Sequence, residues 1–577
     1  MSNTHRRVLG AGIAATAIAA LVAGTPAMAK DKNTPPMAGN GQGPLQSVQL
    51  LSFNDYHGHL EATDTYGAAR IPAGGAEHLA GALKSLRAEA PKGRSLTVAA
   101  GDLIGGSTFI SGAFHDEPSV ESLNAMGLDV SSVGNHEFDE GTDELLRMQK
   151  GGCHPVDGCY FPDEPYAGAD FPWLAANVVK KDDGKTLLPG TWVKNVDGMK
   201  IGFIGMTLEA TPTLVNPSGV STVDFKDEVE TANAQAAALK RQGVKSIVVL
   251  LHEGGYQTGG LSECKEASGP IVEMAGTMSA DIDALITGHT HQPYICSIPD
   301  PAGKPRLVTS AASYGQVVTE TNLVIDRRTG DVNRAATRAR NILVEHSVFT
   351  PDAAQSEIIA KWNVLAAPLK GLVIGNHLQP ITGDANSNRA IETPMANLVA
   401  DAILDNTTSL GAQVALMNVG GVRASLNKIS YGEADGEITY AEAFDIAPFG
   451  NVYVALDLTG AQLKQVLEQQ YQPVPARGSR PMLAMGVSDG FSYTWDATKP
   501  QGSRVVPGSM KLNNVAIGDT ETVRVGTLNF LADGGDLFTA FKSGTNVVGG
   551  IGDLEGLVAY FKTHPDLTPP GDRIAGL

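Results

Sequence analysis

The segment Gly134-Asn135-His136-Glu137-Phe138-Asp139 concentrates more chemistry than any other six residues of the chain. Asn135 offers an amide oxygen to a metal ion. His136 can give or take a proton, and Asp139, three residues on, is spaced to orient that imidazole. Read alone, the segment also fits an ordinary strand-to-helix turn, with Asn135 in an Asx-turn and Asp139 in a first helical turn. The same residue types recur elsewhere: Asp55 and His57, Asp102 after Gly101, His252 before Glu253-Gly254-Gly255, and His289 and His291 after Gly288. Asp, Asn and His together are the mixed oxygen and nitrogen donors that zinc, manganese or iron accept.

Each group follows an apolar, strand-like run. Val48 to Phe53 leads to Asp55, Ser95 to Ala100 to Asp102, Leu128 to Val133 to Asn135, Ser246 to Leu251 to His252, and Ile282 to Thr287 to His289. In α/β folds, sites collect where strand ends meet loops, and glycine lets the backbone come close to a bound group. One strand ending in His is ordinarily structural. Five strands with ligand-type residues at the same relative place point to a shared metal centre. Gly75 to Ala90 reads as a helix between the first two strands.

Further along, Gly330 to Arg340 carries Arg334, Arg338 and Arg340 and reads as a solvated basic face. Pro351 to Leu369 has helical periodicity (Ile358, Ile359, Trp362, Leu365, Leu369) and suits a connecting helix. Beyond it the pattern changes. A helix begins within Glu392 to Asp401, Val414 to Met417 runs into Asn418-Val419-Gly420-Gly421-Val422-Arg423, and Pro448-Phe449-Gly450-Asn451 and Phe530-Leu531-Ala532-Asp533-Gly534-Gly535-Asp536 follow. None is a P-loop, because the lysine and hydroxyl pair is absent. Singly, Phe449 reads as core and Asp536 as a turn cap. Together with Arg389 and Arg423 they suit a nucleoside phosphate: aromatic faces for the base, an aspartate for ribose hydroxyls, and arginines for phosphate oxygens.

A chain of 577 residues exceeds what one core accommodates. We expect residues 1–29 to be a signal peptide, 30–45 a flexible leader, 46–345 a first domain, 346–370 a linker helix and 371–577 a second domain. Arg6 and Arg7, the Ala- and Gly-rich run Val8 to Gly24, and Ala27-Met28-Ala29 carry the export reading, to periplasm or exterior. The paired arginines permit twin-arginine as well as Sec export. No later run is long enough to span a membrane. The formal charge of −19, more negative once Arg6 and Arg7 leave, argues against nucleic-acid polymers as partners. Four cysteines (Cys153, Cys159, Cys264, Cys296) fit an oxidising compartment and allow three pairings, and their spacings do not suit a thiolate zinc site.

The five strand-end elements resemble the calcineurin-like metallophosphoesterase superfamily, and with the C-terminal segments the pattern, over roughly 46 to 577, resembles the bacterial secreted 5′-nucleotidases of the UDP-sugar hydrolase type. The resemblance implies an α/β fold: an N-terminal β-sandwich flanked by helices, then an α/β nucleotide-recognition domain. It implies two divalent ions (zinc, manganese, cobalt or iron), one held by Asp55, His57, Asp102 and His291, the other by Asp102, Asn135, His252 and His289. Relatives often carry an amide at the position of His291. The resemblance also assigns leaving-group protonation to His136, held by Asp139. Phe449 and Phe530 would sandwich the base and Asp536 would bind the ribose. Arg389, Asn418 and Arg423 would contact phosphate or base edges, with Asn451 assisting. Two departures stand out: Pro394 where many relatives have a polar residue, and a single arginine in 389–394.

The physical case for two ions stands beside the resemblance. A phosphate monoester repels a hydroxide nucleophile, and two cations about 3.5–4 Å apart can hold both and acidify water. The expectation is therefore hydrolysis of nucleoside 5′-monophosphates, with di- and triphosphates or UDP-sugars as further substrates, in nucleotide catabolism. The alternatives are a 2′,3′-cyclic-nucleotide phosphodiesterase with 3′-nucleotidase activity, a thiosulfohydrolase, for which no carrier-docking site is visible, and a non-catalytic nucleotide-binding surface protein, against which the retention of His136, Asp139 and every ligand argues.

Overall fold

Leu50 and Leu51 are both fully buried although neighbouring side chains in a strand point to opposite faces, so their strand is covered on both sides. The computed structural model describes residues 44–577 apart from 216–218, 384–387, 428, 431, 474–475 and 478–479. The expected signal peptide and nearly all of the leader therefore lie outside the described residues. The first strand, Leu45–Phe53, begins three residues before the expected start at Val48.

It runs parallel to Ser95–Ala100, which pairs in parallel with Val130–Ser132 and that in turn with Trp173–Leu174, while Val317–Asp326 adds antiparallel on the other side. A second sheet is built on Met199–Thr207, Ser246–His252, Ala284–Thr287 and Pro305–Ser310, all parallel. The two sheets face each other through one cluster containing Val48, Leu50, Val98, Val130, Phe203, Val248, Leu250 and Ile286. The alternate residues Leu51 and Phe53 pack outward against the helices Ala76–Glu89, Glu117–Met126 and Ala353–Lys370. On the far side Val249 and Leu251 meet the helices Glu228–Arg241 and Pro270–Thr277. The result is a helix–sheet–sheet–helix sandwich. Because the central strands run the same way, the loops after Phe53, Ala100, Ser132, His252 and Thr287 can gather at the strands' carboxyl ends.

The C-terminal half has its own five-stranded sheet, ordered Met485–Val487, Val414–Asn418, Thr522–Leu528, Val452–Thr459 and Thr545–Gly552. Ala415 and Met417 face the helices Pro394–Thr407 and Asp553–Thr563, whereas Val414 and Leu416 face the cluster of the Gly460–Glu468 helix. Thr393 caps the first of these helices, with Pro394 at its start, where a missing N–H costs nothing.

The Ala353–Lys370 helix is capped by Asp352 and bound along its length to the N-terminal half: Gln355 to Ser122, Trp362 Nε1 to Glu121, Lys370 to Glu61. The two halves meet where Phe109 packs edge-on against Phe444 and its N–H donates to Asp445. The cysteines pair as Cys153–Cys159 and Cys264–Cys296. Among the described residues no helix is long and apolar enough to cross a membrane. One expectation is corrected. Arg334 does not lie on a solvated face, because its guanidinium reaches both Asp283 (2.9 Å) and Asp300 (2.7 Å) and its side chain is about 10% exposed. A guanidinium so placed neutralises two carboxylates that burial would otherwise penalise.

Candidate active site

Five of the seven expected ligands sit in the left-handed backbone region, a conformation that costs a non-glycine residue about 1–3 kcal/mol and clusters at functional sites. They are Asp55 (φ 51°), His57 (47°), Asp102 (51°), His289 (70°) and His291 (57°). The parallel strands stop, the backbone reverses within one residue, and the side chain is thrown back across the sheet edge. Gly134 is required by close approach: a Cβ there would collide with the Asp102 carboxylate.

The side chains converge on Asp102. Its Oδ2 lies 2.8 Å from His252 Nε2 and 3.7 Å from His57 Nε2. His291 Nε2 is 3.3 Å from His57 Nε2 and 3.2 Å from Asp55 Oδ1. On the other flank Asn135 Oδ1 stands 3.0 Å from His289 Nδ1. Three triads of potential ligand atoms result, Asp55–His57–His291, Asp102–His252–His289 and His57–Asp102–His136, each within 4.8 Å. Two of the imidazoles are aimed from behind. His57 Nδ1 donates to the Gly105 carbonyl and His252 Nδ1 to that of Ala100, each at 2.7 Å, which turns both Nε2 atoms to the centre.

The residues present fit a pair of divalent cations. His252 Nε2 is buried and has no aligned hydrogen bond, although Asp102 Oδ2 stands 2.8 Å away. Burial holds His57 and His289 well below the ordinary histidine range, which favours the neutral imidazoles that metal ligation needs, whereas Asp102 and Asp55 raise His252 to about 10 against the effect of burial. Burial opposes ionisation of Asp102, yet His252 and His136 hold its carboxyl well below the usual range.

His136 and Asp139 sit on the cavity side of this cluster. His136 Nδ1 is 2.8 Å from Asp139 Oδ2, and its backbone N–H donates to Asp102 Oδ1 at 2.9 Å. Burial alone would depress the imidazole, but Asp139 and Asp102 outweigh it and raise its affinity for a proton. With Nδ1 engaged by Asp139, Nε2 remains for an incoming group.

A cavity of about 560 Å³ spans the two halves. Asp102, Asn135, His136, Asp139, His289 and His291 line one wall, while Arg389, Asn418, Arg423, Phe449, Asn451, Phe530 and Asp536 line the other. Asp55, His57 and His252 lie beneath that lining, each fully buried. Asn418 Nδ2 donates to Asp536 Oδ2 at 2.6 Å. The Arg423 guanidinium lies 5.7 Å from the Phe449 ring centre. Burial and the neighbouring Arg480 and Arg423 all work against the charge on Arg389, so an anion in this wall would relieve the crowding of positive groups.

Three contributors were not singled out from the sequence. Glu137, inside the His136 motif, accepts N–H bonds from Asp102 (2.9 Å), Leu103 (2.7 Å) and Gly134, tying two ligand loops together. Asn54 donates to Asp55 Oδ2 at 2.6 Å and to the Ala312 carbonyl, fixing the carboxylate's direction. Arg480 reaches from the C-terminal half to the His289 carbonyl (3.1 Å) and the Tyr256 hydroxyl (3.2 Å). Its only signal in the sequence was a basic residue in a Pro-, Gly- and Ser-rich loop.

Comparison with known proteins follows the same division of the chain. Residues 49–293 match the family model described as calcineurin-like phosphoesterase, and 373–543 the one described as 5′-nucleotidase, C-terminal domain. The chain is 33% identical over 524 residues to Endonuclease YhcR of Bacillus subtilis (strain 168), covering 90% of this chain and 40% of that one. It is 31% identical over 544 residues to Cell wall protein Lmo0130 of Listeria monocytogenes serovar 1/2a, covering 89% and 67%. A solved 5′-nucleotidase precursor from Thermus thermophilus matches with a TM-score of 0.75 at 26% identity, covering 92% of this chain and 99% of that one. The chain thus spans well under half the length of its Bacillus relative.

Proposed function

Because this chain belongs to the calcineurin-like phosphoesterases that carry a 5′-nucleotidase C-terminal domain, we propose that it is an exported dimetal phosphohydrolase releasing phosphate from nucleoside 5′-monophosphates. Nucleoside di- and triphosphates and UDP-sugars are its further substrate class. The observation that carries this reading is one cavity with the Asp102-centred ligand cluster on one wall and Arg389, Arg423, Phe449, Phe530 and Asp536 on the other. We take residues 46–345 as the hydrolytic domain, 346–370 as the linker and 371–577 as the domain that reads the nucleotide.

When bound, two divalent ions supply positive charge to the phosphoryl oxygens and acidify water. Asp55, His57, Asp102 and His291 would hold one, and Asp102, Asn135, His252 and His289 the other. The chain's own groups do the rest. Arg389 and Arg423 hold phosphate oxygens as charge-assisted donors. Phe449 and Phe530 take the two faces of the base, and Asp536, oriented by Asn418, accepts from the ribose hydroxyls. Asn451 borders the same wall. His136, its Nδ1 held by Asp139, gives a proton from Nε2 to the departing 5′-oxygen.

Phosphate release from AMP, cyclic AMP isomers and UDP-glucose, with manganese and with a chelator, tests the proposal. Manganese-dependent turnover of AMP above that of the cyclic isomers is expected. Preference for cyclic isomers would favour the 2′,3′-cyclic phosphodiesterase reading, and tight binding without turnover a nucleotide-capturing protein. The name of the Bacillus relative raises a further reading, cleavage of a nucleic-acid polymer. A formal charge of −19 weighs against it.

A further inference from the structure

One loop stands behind the Asp55–His57–His291 group, and no step of the proposed chemistry uses it. It runs from Ala311 to Gln316, between the strands Pro305–Ser310 and Val317–Asp326. The N–H of Ala311 donates to Asn54 Oδ1 at 2.8 Å. Asn54 Nδ2 donates back to the Ala312 carbonyl at 2.7 Å and on to Asp55 Oδ2 at 2.6 Å. Two residues later the Tyr314 N–H donates to the Asp55 carbonyl at 2.7 Å.

The ring of Tyr314 packs on the same group. Its centroid is 5.5 Å from that of His291, with planes 78° apart, and 6.0 Å from that of His57, with planes 65° apart. The two imidazoles are themselves 5.2 Å apart, so the three rings form a triangle with every side in the range of aromatic packing. His59 covers a face of the Tyr314 ring at 3.8 Å, and Asp64 Oδ2 holds His59 Nδ1 at 2.7 Å.

We propose that Tyr314 is a positioning residue for one ion of the proposed pair. It fixes the rings of His57 and His291 and thereby sets the affinity of the Asp55 side for a divalent cation, without acting on the side of Asn135, His252 and His289. Three observations point this way. His57 and His252 are aimed by backbone carbonyls at Nδ1, whereas His291 Nδ1 is buried with no hydrogen-bond partner among the described residues. A metal-ligating histidine is ordinarily oriented through its second nitrogen, so for His291 ring packing must do that work. The loop is also held in a costly shape: Ala312 and Tyr314 have φ of 54° and 59°, a conformation that persists only where the surroundings impose it. Nor can the loop retreat, since Gly74 lies so close that a Cβ there would stand 2.7 Å from the Tyr314 carbonyl. Among the described residues no ring contact joins Tyr314 to His252 or His289, which pack on each other with centroids 5.3 Å apart.

The proposal rests on the reading of Asp55, His57 and His291 as ligands of one ion. The test titrates the chelator-stripped full chain with manganese, read by calorimetry and elemental analysis. Wild type is expected to take up two equivalents. Tyr314→Ala is expected to weaken one of them by about tenfold or more, as for other residues that orient a ligand, and to leave the other within about twofold. Tyr314→Phe keeps the ring and is expected to bind both as wild type does. In a His291→Ala background, Tyr314→Ala should cost the remaining equivalent nothing further. Should Tyr314→Ala fail to fold, Tyr314→Gly removes the same ring at a φ that glycine adopts freely, with the same expectation. Wild type that takes up no manganese would defeat the ligand reading and the proposal together. Two equivalents that bind unchanged in the variants lacking the ring, or that weaken equally, would defeat the proposal alone.

Discussion

The ring of Phe449 lies nearly parallel to that of His136, centroids 5.7 Å apart and planes 17° from parallel, so an aromatic of the C-terminal half rests on the imidazole of the Asn135–Asp139 turn. If Phe449 instead stacks on a nucleobase, its face must leave His136. Rotation of the C-terminal half against the N-terminal half would exchange one partner for the other. Base–aromatic stacking contributes about 1–3 kcal/mol. Phe449→Ala is therefore expected to raise KM for AMP by about tenfold or more. Hydrolysis of p-nitrophenyl phosphate, which has no base or ribose, should change much less. An equal loss on both substrates would place Phe449 in the support of His136 rather than in base recognition.

His136→Ala should lower kcat for AMP by about 10²- to 10⁴-fold, the range for a lost general acid, with metal content unchanged. Asp139→Asn keeps the ring in place but weakens its hold at Nδ1, and a smaller loss is expected. Metal analysis beside the kinetics makes the comparison decisive, because loss of bound metal in His136→Ala would make this residue a ligand.

Glu137→Gln replaces one of two acceptor oxygens with an NH₂ group that must face a backbone N–H of Asp102, Leu103 or Gly134. A buried donor left facing a donor costs about 1–3 kcal/mol. The expected outcome is a lower Tm together with weaker metal retention under dialysis, since Asp102 and Asn135 both hang on these turns. Wild-type Tm and metal content in the variant would remove Glu137 from the account.

Much of this arrangement was legible in the sequence because it is local. Each ligand stands at the end of an apolar run, and the runs Ser95 to Ala100 and Ser246 to Leu251 became strands within a residue of the expected ends. Phe449 and Asp536 were placed through motif resemblance and reached the same cavity as His136. What escaped is what depends on the fold's own juxtapositions. Glu137 acts on N–H groups of turns up to 35 residues away, and no side-chain pattern marks them. Arg480 reaches His289 across the join between halves, 191 residues away in the chain. Arg334 was misread because its partners Asp283 and Asp300 belong to a separate loop and strand end, so its charge looked uncompensated.

Asp553, at the start of the Asp553–Thr563 helix, supplies a pH test away from the ligand cluster. Burial raises its carboxyl from an unfolded value of 3.8 to about 6. The folded state then binds the extra proton between these values, so this contribution to stability is full below 3.8 and is lost as pH rises through about 6. The helix N-terminus favours the anion and offsets part of the loss. Asp553→Asn is expected to gain on the order of 1 kcal/mol relative to wild type at pH 8 and little at pH 4. Chemical denaturation at the two pH values checks the sign, and an equal difference at both would show that Asp553 titrates no differently in the folded chain.

In the proposed mechanism Asp102 would stand between two ions. The most direct measurement is anomalous diffraction from crystals of the manganese-loaded protein. Two peaks about 3.5–4 Å apart are expected, with Asp102 Oδ2 between them, one beside Asp55, His57 and His291 and the other beside Asn135, His252 and His289. A single peak, or two peaks that do not share Asp102, would contradict it.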